Sequence, residues 1–260
     1  MYDPKDIAPW DGYVDTFEGK PYIHRQQTLS WDTEALTWEK DLAPMAARYY
    51  GVVSQLDDAV GEILDALKKS GQWDDTIVVF TSDHGDMCGS HNMLDKHYVL
   101  YDDIIRVPLM VKVPGVEPRV SSEFVHNCLD LPASLEKWLD IRLPKPAHGK
   151  PLPLTKTDEE GRGHIVCTSN GQQFGLYSTR CIRTRKWKYV WNLTDVDELY
   201  DVENDPGEKR NLIRVKEHMP LIWELRKSLW EDLKQHGDPF TRSAWMENQL
   251  LNNKKFIPSE

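Results

Sequence analysis

The stretch "DDTIVVFTSDHGDMCGSHNMLDKH", residues 74–97, joins an apolar run to a dense set of titratable side chains. Thr76 to Phe80 has no polar interior, the pattern of a parallel strand covered on both faces. The seventeen residues that follow, Thr81 to His97, hold three histidines, three aspartates, a cysteine and a lysine. In open α/β sheets ligands bind beyond the carboxyl ends of the strands, where loops converge and backbone N–H groups are free. Asp83 and His84 stand at that place.

Upstream, Ala46, Tyr50, Val53, Leu56, Val60, Ile63, Leu64 and Leu67 recur at helical spacing, which predicts a long amphipathic helix over Ala43 to Lys69, stopped by the glycine of "SGQWDD". Downstream, "IIRVPLMVKVPGV" (residues 104–116) reads as a second apolar strand and "DLPASLEKWLDI" (130–141) as a short amphipathic helix. This order points to an α/β sheet with crossovers. Beyond the proline-rich "RLPKPAHGKPLPL", the segments "HIVCT" and "YSTRCIRTRKWKYVWNL" and the turn "DVENDPGE" predict short antiparallel strands. A final amphipathic helix runs from about His218 to Gln235. The first forty residues, rich in Pro, Trp, Asp and Tyr, show no sustained period and read as an extended segment packed over something larger.

With 260 residues, 40% of them hydrophobic, and ten Trp, the chain has ample material for a packed core. The net charge of −10, from 42 acidic and 32 basic residues, argues against nucleic acid or an anionic membrane as partner. An anionic substrate would therefore need local cations or a metal ion. No apolar run approaches the roughly 18 residues of a membrane span, and "MYDPKDIAPWDGY" has no basic n-region followed by an apolar h-region. Cys88, Cys128, Cys167 and Cys181 are widely spaced, which indicates neither a zinc knuckle nor a disulfide framework.

A carboxylate beside an imidazole can put two donors on one divalent cation, and Gly85 lets the chain turn sharply away. Asp83 and His84 are therefore read as metal ligands ahead of the simpler reading, a turn cap and a satisfied histidine. Lys96, twelve residues past His84, is either a solvated cation or a point charge for an oxyanion. His91 and His97 are either proton donors to a leaving alcohol or loop residues. Cys88 reads as a small, buried or semi-buried side chain, since the sequence does not establish the nearby base and electropositive pocket that a nucleophile needs.

Residues 49–115, "YYGVVSQLDDAVGEILDALKKSGQWDDTIVVFTSDHGDMCGSHNMLDKHYVLYDDIIRVPLMVKVPG", resemble the sulfatase family, the formylglycine-dependent branch of the alkaline phosphatase superfamily. The later "ELYD-x-x-x-DP-x-E-x-x-NL", Glu198 to Leu212, resembles the marker of that family's C-terminal subdomain. The resemblance implies an α/β fold: part of an alkaline-phosphatase-like sheet sandwiched by helices over residues 1–145, and a small α+β subdomain with an antiparallel sheet over 146–260. It places Asp83 and His84 on the pair that ligates the active-site divalent cation, most often Ca2+. Lys96 falls on the lysine that contacts sulfate, and His91 falls more loosely on a polar position near the substrate.

Two departures bear on function. The family's C/S-x-P-x-R motif, whose Cys or Ser becomes the formylglycine nucleophile, does not occur in these 260 residues. The paired aspartates that complete the metal site are also not found. The chain thus resembles the C-terminal half of a sulfatase, expected to act on a sulfated small molecule or carbohydrate and to be inactive without its nucleophile segment. Self-association or a complementing N-terminal half is the expected way of covering its open sheet. The rival readings are a phosphodiesterase or phosphonate hydrolase of the same superfamily, and a non-catalytic truncated or split-gene fragment.

Overall fold

The computed structural model describes residues 1–96, 98–143, 148–154, 162–171 and 177–255. The first forty residues are not wholly extended: they include a helix, α1 (Tyr22–Ser30). Its buried residues are Ile23, His24, Gln27 and Thr28, one helical face made mostly of polar groups. A hydropathy period does not reveal such a face, because three of its four buried residues are polar.

The long helix α2 (Ala43–Lys69) spans the residues that its spacing predicts. Gly71 then takes φ +75°, a left-handed turn that glycine makes without Cβ strain. Strand β1 (Val78–Thr81) follows, then a single-turn helix α3 (Asp102–Ile105), strand β2 (Leu109–Lys112) and helix α4 (Asn127–Leu139). The strand expected over residues 104–116 is shorter than its apolar run, with Pro108 and Pro114 outside its two ends.

The parallel pairing expected for β1 is corrected: β1 and β2 pair antiparallel, Val79 opposite Val111 and Phe80 opposite Met110. An apolar strand reports that both faces want cover, but it carries no information about the direction of its neighbour. A parallel partner needs a crossover, usually a helix. Between β1 and β2 the chain instead makes a compact loop and the one turn of α3, and re-enters from the opposite end.

The second sheet is antiparallel as expected, in the order β3 (His164–Asn170), β4 (Ser178–Thr184), β5 (Trp187–Asn192), β6 (Glu198–Asp201). Its cross-strand register divides it into two chemically different faces. Ile182, Tyr189, Trp191 and Leu199 pack on Ile222, Leu225, Leu229 and Leu233 of helix α5 (Met219–Gln235), the main apolar core. Each such side chain contributes about 2 kcal/mol by leaving water. Helix α6 (Ala244–Leu251) closes this core with Leu250.

The other face aligns Cys167, Cys181, Val190 and Glu198 in one row and Arg183, Lys188 and Tyr200 in the next. It meets the segment between β1 and β2: Lys188 Nζ donates to the Leu100 carbonyl at 3.0 Å, and Arg183 donates to Asp102 at 2.9 Å. The charged face of the second sheet is thus the bed on which the loop after β1 lies. Among the described residues no helix is long and apolar enough to cross a membrane.

Candidate active site

Four local bonds shape the turn after β1. Asn127, the first residue of α4, donates to the Ser82 carbonyl at 2.8 Å, and Ser82 Oγ donates to the His84 carbonyl at 2.8 Å. The His84 N–H donates to Asp83 Oδ1 at 3.0 Å, and the Gly85 N–H to the Ile104 carbonyl at 2.8 Å. A side chain at Gly85 would put its Cβ 1.8 Å from the Asp103 carbonyl oxygen. Glycine is required here by the approach of α3, and the turn is locked against it.

The lock presents two side chains outward. The Asp83 side chain is 83% exposed and that of His84 is 35% exposed, with His84 Nε2 3.3 Å from Asp83 Oδ2. His84 Nδ1 lies 2.8 Å from the Gly85 carbonyl. A carbonyl only accepts, so Nδ1 carries a proton, and Nε2 faces the carboxylate. Two lone-pair atoms at that spacing repel unless a proton or a cation lies between them. The His84 backbone N–H holds the Asp83 carboxyl below its ordinary value, and the charges of His84 and Lys96 add to the effect. Lys96 is itself exposed.

The loop that brings Lys96 back is backbone-strained. Cys88, His91, Asn92, Asp95 and Tyr98 all have positive φ, as does Gly89. Non-glycine residues persist there only where their surroundings over-determine them. Met87 and Met93 are buried with Val99, Tyr101 and Ile104, and the Met87 N–H donates to the Asp95 carbonyl at 2.9 Å. The Trp10 indole donates to the Cys88 carbonyl at 2.8 Å. Burial and the neighbouring Asp86 charge push the Cys88 thiol up to about 12, so it is no nucleophile at neutral pH.

His91 takes a different place from the exposed pair. It is fully buried, stacked on Tyr101 at a centroid distance of 3.8 Å, with Nδ1 2.6 Å from Asp15 Oδ2. Burial lowers its pKa to about 4, so the ring is neutral and Nδ1 donates to Asp15. Asp15 also pairs with Lys20, whose Nζ donates to Tyr101 Oη at 3.0 Å and to the Glu208 carbonyl at 2.6 Å. His24 Nδ1 lies 2.7 Å from the same hydroxyl. Burial works against the Asp15 charge, but His91 and Lys20 outweigh it and hold the carboxyl well below the usual range.

Asp83 and Lys96 are exposed and His84 partly so, whereas His91 is buried in the interior. His97 lies outside the described residues. Sequence reasoning missed Asp15, Lys20 and His24, which sit in the segment without period, and Lys188, buried between Asp102 and Glu208. A partial signal existed: Glu208 and Asn211 are fixed positions of the "ELYD" marker. Glu208 accepts the Asp102 N–H at 2.6 Å, and Asn211 donates to the Gly19 and Asp197 carbonyls at 2.8 and 3.0 Å.

Among the described residues no group of three or more His, Cys, Asp or Glu side chains gathers around one point that could hold a metal ion. Asp83 and His84 fit two positions of a divalent cation's shell: a hard carboxylate, and an imidazole whose other nitrogen is fixed by a backbone carbonyl.

Comparison with known proteins gives a consistent picture. The Sulfatase family profile matches residues 11–141, and the profile "N-sulphoglucosamine sulphohydrolase, C-terminal" matches residues 89–235. An uncharacterized sulfatase of Escherichia coli is 33% identical over 202 residues, covering 76% of this chain and 40% of its own length. A choline-sulfatase of Rhizobium meliloti is 31% identical over 271 residues, covering 98% and 52%. The crystal structure of a putative sulfatase from Bacteroides thetaiotaomicron superposes with a TM-score of 0.80 at 25% identity, over 94% of this chain and 55% of that one. A phosphonate monoester hydrolase of Agrobacterium radiobacter does so at 0.78 and 25%, over 90% and 52%. The chain spans about half the length of the curated relatives it matches, and it corresponds to their C-terminal portion.

Proposed function

The chain belongs to the sulfatase family, and from that premise we propose that it forms the C-terminal wall of a metal-assisted sulfate ester hydrolase. The observation that carries the reading is the pair Asp83 and His84, 3.3 Å apart and open to solvent at the end of β1, two donors that one divalent cation can share. A divalent metal held there, Ca2+ in our reading, would supply Lewis-acid polarisation of the sulfate oxygens. Calcium favours oxygen donors, so Asp83 would be the stronger ligand and His84 the orienting one.

Lys96 would set its ammonium against the non-bridging sulfate oxygens, a point charge well matched to a developing oxyanion. His91 is buried, neutral and bonded to Asp15, and it serves the reaction by holding the Lys96 loop rather than by meeting substrate. Three of the four thiols do not suit nucleophilic attack. Burial raises the pKa values of Cys88, Cys167 and Cys181, and a thiol acts only as its thiolate. The nucleophile in this reading is a hydrated formylglycine carried on a segment that relatives hold ahead of the matched region. We assign residues 1–145 to the catalytic domain and 146–260 to a subdomain that supports it. The substrate is a sulfated carbohydrate or small molecule, the classes that relatives' names cite.

Similarity to the Agrobacterium radiobacter hydrolase favours a second reading, cleavage of phosphonate or phosphate monoesters and diesters on the same frame. With the nucleophile segment present, comparing 4-nitrophenyl sulfate with bis(4-nitrophenyl) phosphate separates the two. Faster release from the sulfate ester, abolished by chelation, supports the sulfatase reading; preference for the phosphate diester overturns it.

A further inference from the structure

Two short stretches of the chain are dense in cations: "RTRKWK", residues 183–188, and "KRNLIRVK", residues 209–216, with four basic residues each. Composition does not tell them apart, but the fold does. In the first stretch every cation has a carboxylate within 3.6 Å: Arg183 at Asp102, Arg185 at Glu123, Lys186 at Asp201 and Glu203, Lys188 at Asp102 and Glu208. In the second, Lys209, Arg210, Arg214 and Lys216 are all exposed, and among the described residues none of their side chains makes an ion pair or a hydrogen bond.

The unpaired run is held by its backbone rather than by its cations. The Leu212 N–H donates to the Leu199 carbonyl of β6 at 2.8 Å, Asn211 Oδ1 accepts the Leu199 N–H at 2.9 Å, and the Val215 N–H donates to the Leu212 carbonyl at 3.0 Å. Asp205 accepts the Lys209 and Arg210 N–H groups at 3.2 and 2.9 Å, which fixes its carboxylate at the backbone. Glu208 is buried against Lys188, and Glu217 is the exposed acid next in sequence. A segment already ordered in this way loses little backbone freedom when a ligand binds. The run leaves directly from Glu208, which accepts the Asp102 N–H of α3, and α3 takes the Gly85 N–H on its Ile104 carbonyl. The four cations thus stand on the same frame as the Asp83–His84 turn.

We propose that Lys209, Arg210, Arg214 and Lys216 form an anchoring site for a sulfated polysaccharide, outside the Asp83–His84 turn. Sulfate groups spaced along such a chain match cations spaced along the run, the two arginines as bidentate forks and the two lysines as point charges. A chain of net charge −10 has no general attraction for polyanions, so the affinity is local to this run and falls as salt screens it. A polymer held here stays near the Asp83–His84 turn after one ester is cleaved, which raises the effective concentration of the next. The choice of a sulfated chain over other polyanions rests on the sulfatase reading, but binding is measured without catalysis.

The test is equilibrium binding of fluorescently labelled heparin to the chain at low salt, in competition with hyaluronan, which carries carboxylates but no sulfate, and with a single-stranded oligonucleotide of equal charge. The expected result is binding that hyaluronan does not displace. It weakens at least about tenfold in Arg214→Glu with Lys216→Glu and is unchanged in Lys137→Glu with Lys234→Glu, two exposed cations elsewhere. In Arg214→Gln with Lys216→Gln the slope of log affinity against log salt falls by about two, one for each cation removed. No binding, or binding that the charge-reversed variant keeps, overturns the proposal. An oligonucleotide that competes as well as unlabelled heparin also overturns it, since the run would then be a general polyanion surface. Release of sulfate from 4-nitrophenyl sulfate is read in the chain joined to a nucleophile segment, with and without the Arg214→Glu and Lys216→Glu changes. This ester is too small to reach from the turn to an anchoring site, so the two rates should agree; slower release in the variant would put the run inside the reaction site and overturn the proposal. Heparin binding without release keeps the anchoring site and sinks the sulfatase reading; release without heparin binding does the reverse.

Discussion

Lys188 is a side chain on which much of the molecule turns. It is fully buried on the charged face of the second sheet, with Nζ 2.6 Å from Asp102 Oδ1 and 2.6 Å from Glu208 Oε1. Burial opposes its charge, yet Glu208 and Asp102 more than offset that and raise its pKa above the usual lysine value. Lys188→Met leaves the partly buried Asp102, which keeps Arg183, and the buried Glu208, whose side chain has no other ion pair among the described residues. Removing one partner of a buried ion pair costs about 3–5 kcal/mol, and urea unfolding of the variant should show a loss of that size.

His91 gives the second test at this scale. Its pKa falls from 6.5 in an exposed imidazole to about 4 in the fold, so the unfolded chain takes a proton that the native chain refuses. Stability is then full above pH 6.5 and declines as pH falls to about 4, by on the order of 3 kcal/mol. The lowered Asp15 carboxyl acts in a separate window: its contribution is present above 3.8, and is lost as the pH falls below that. His91→Asn, which keeps a donor for Asp15 and does not titrate, should remove the slope between pH 6.5 and 4 when unfolding is followed at both ends. An unchanged slope would mean that His91 is not held neutral in the fold.

At the scale of elements, what the sequence reveals depends on how each element is held. α2 and α5 carry regular apolar spacing, and both helices stand within a residue or two of their expected bounds. α1 shows no such spacing, because three of its four buried residues, His24, Gln27 and Thr28, are polar. The direction of β2 was also not legible, since antiparallel pairing follows from the loop between the strands and not from the strands' own residues. α2 and α5 differ in a way that spacing alone does not show. Leu229 of α5 is fully buried, whereas Leu56 and Ile63 of α2 are exposed. In the chain as it stands, Leu56→Lys with Ile63→Lys should change stability by no more than about 0.5 kcal/mol. Leu229→Ala should cost about 2–5 kcal/mol. Equal losses, measured by thermal melting, would place the α2 stripe inside a packed core.

Across the whole molecule, the site divides into a part written in the sequence and a part assembled by the fold. Asp83, His84, Gly85 and Lys96 lie within fourteen residues, so their spacing could be read directly. The support under Lys96 could not. Asp15 reaches His91 across 76 residues, Lys20 reaches the Glu208 carbonyl across 188, and Arg183 reaches Asp102 across 81. These contacts tie the first segment, the loop after β1 and the second sheet into one body, and polar residues give no periodic sign of such distant partners. α2 beyond its first turn is exposed, whereas the C-terminal core on α5 is well packed.

The most direct measurement of the central claim is the metal-dependent hydrolysis of 4-nitrophenyl sulfate by the chain joined to a nucleophile segment, with Asp83 and with Asp83→Ala. The expected result is turnover that chelation stops and Ca2+ restores. It should fall at least about a hundredfold in the variant, the order of effect seen when one electrostatic contact to a reacting oxyanion is removed. Asp83→Ala turning over like the unsubstituted protein, at the same metal concentration, would contradict the assignment of Asp83 and His84 as the metal pair.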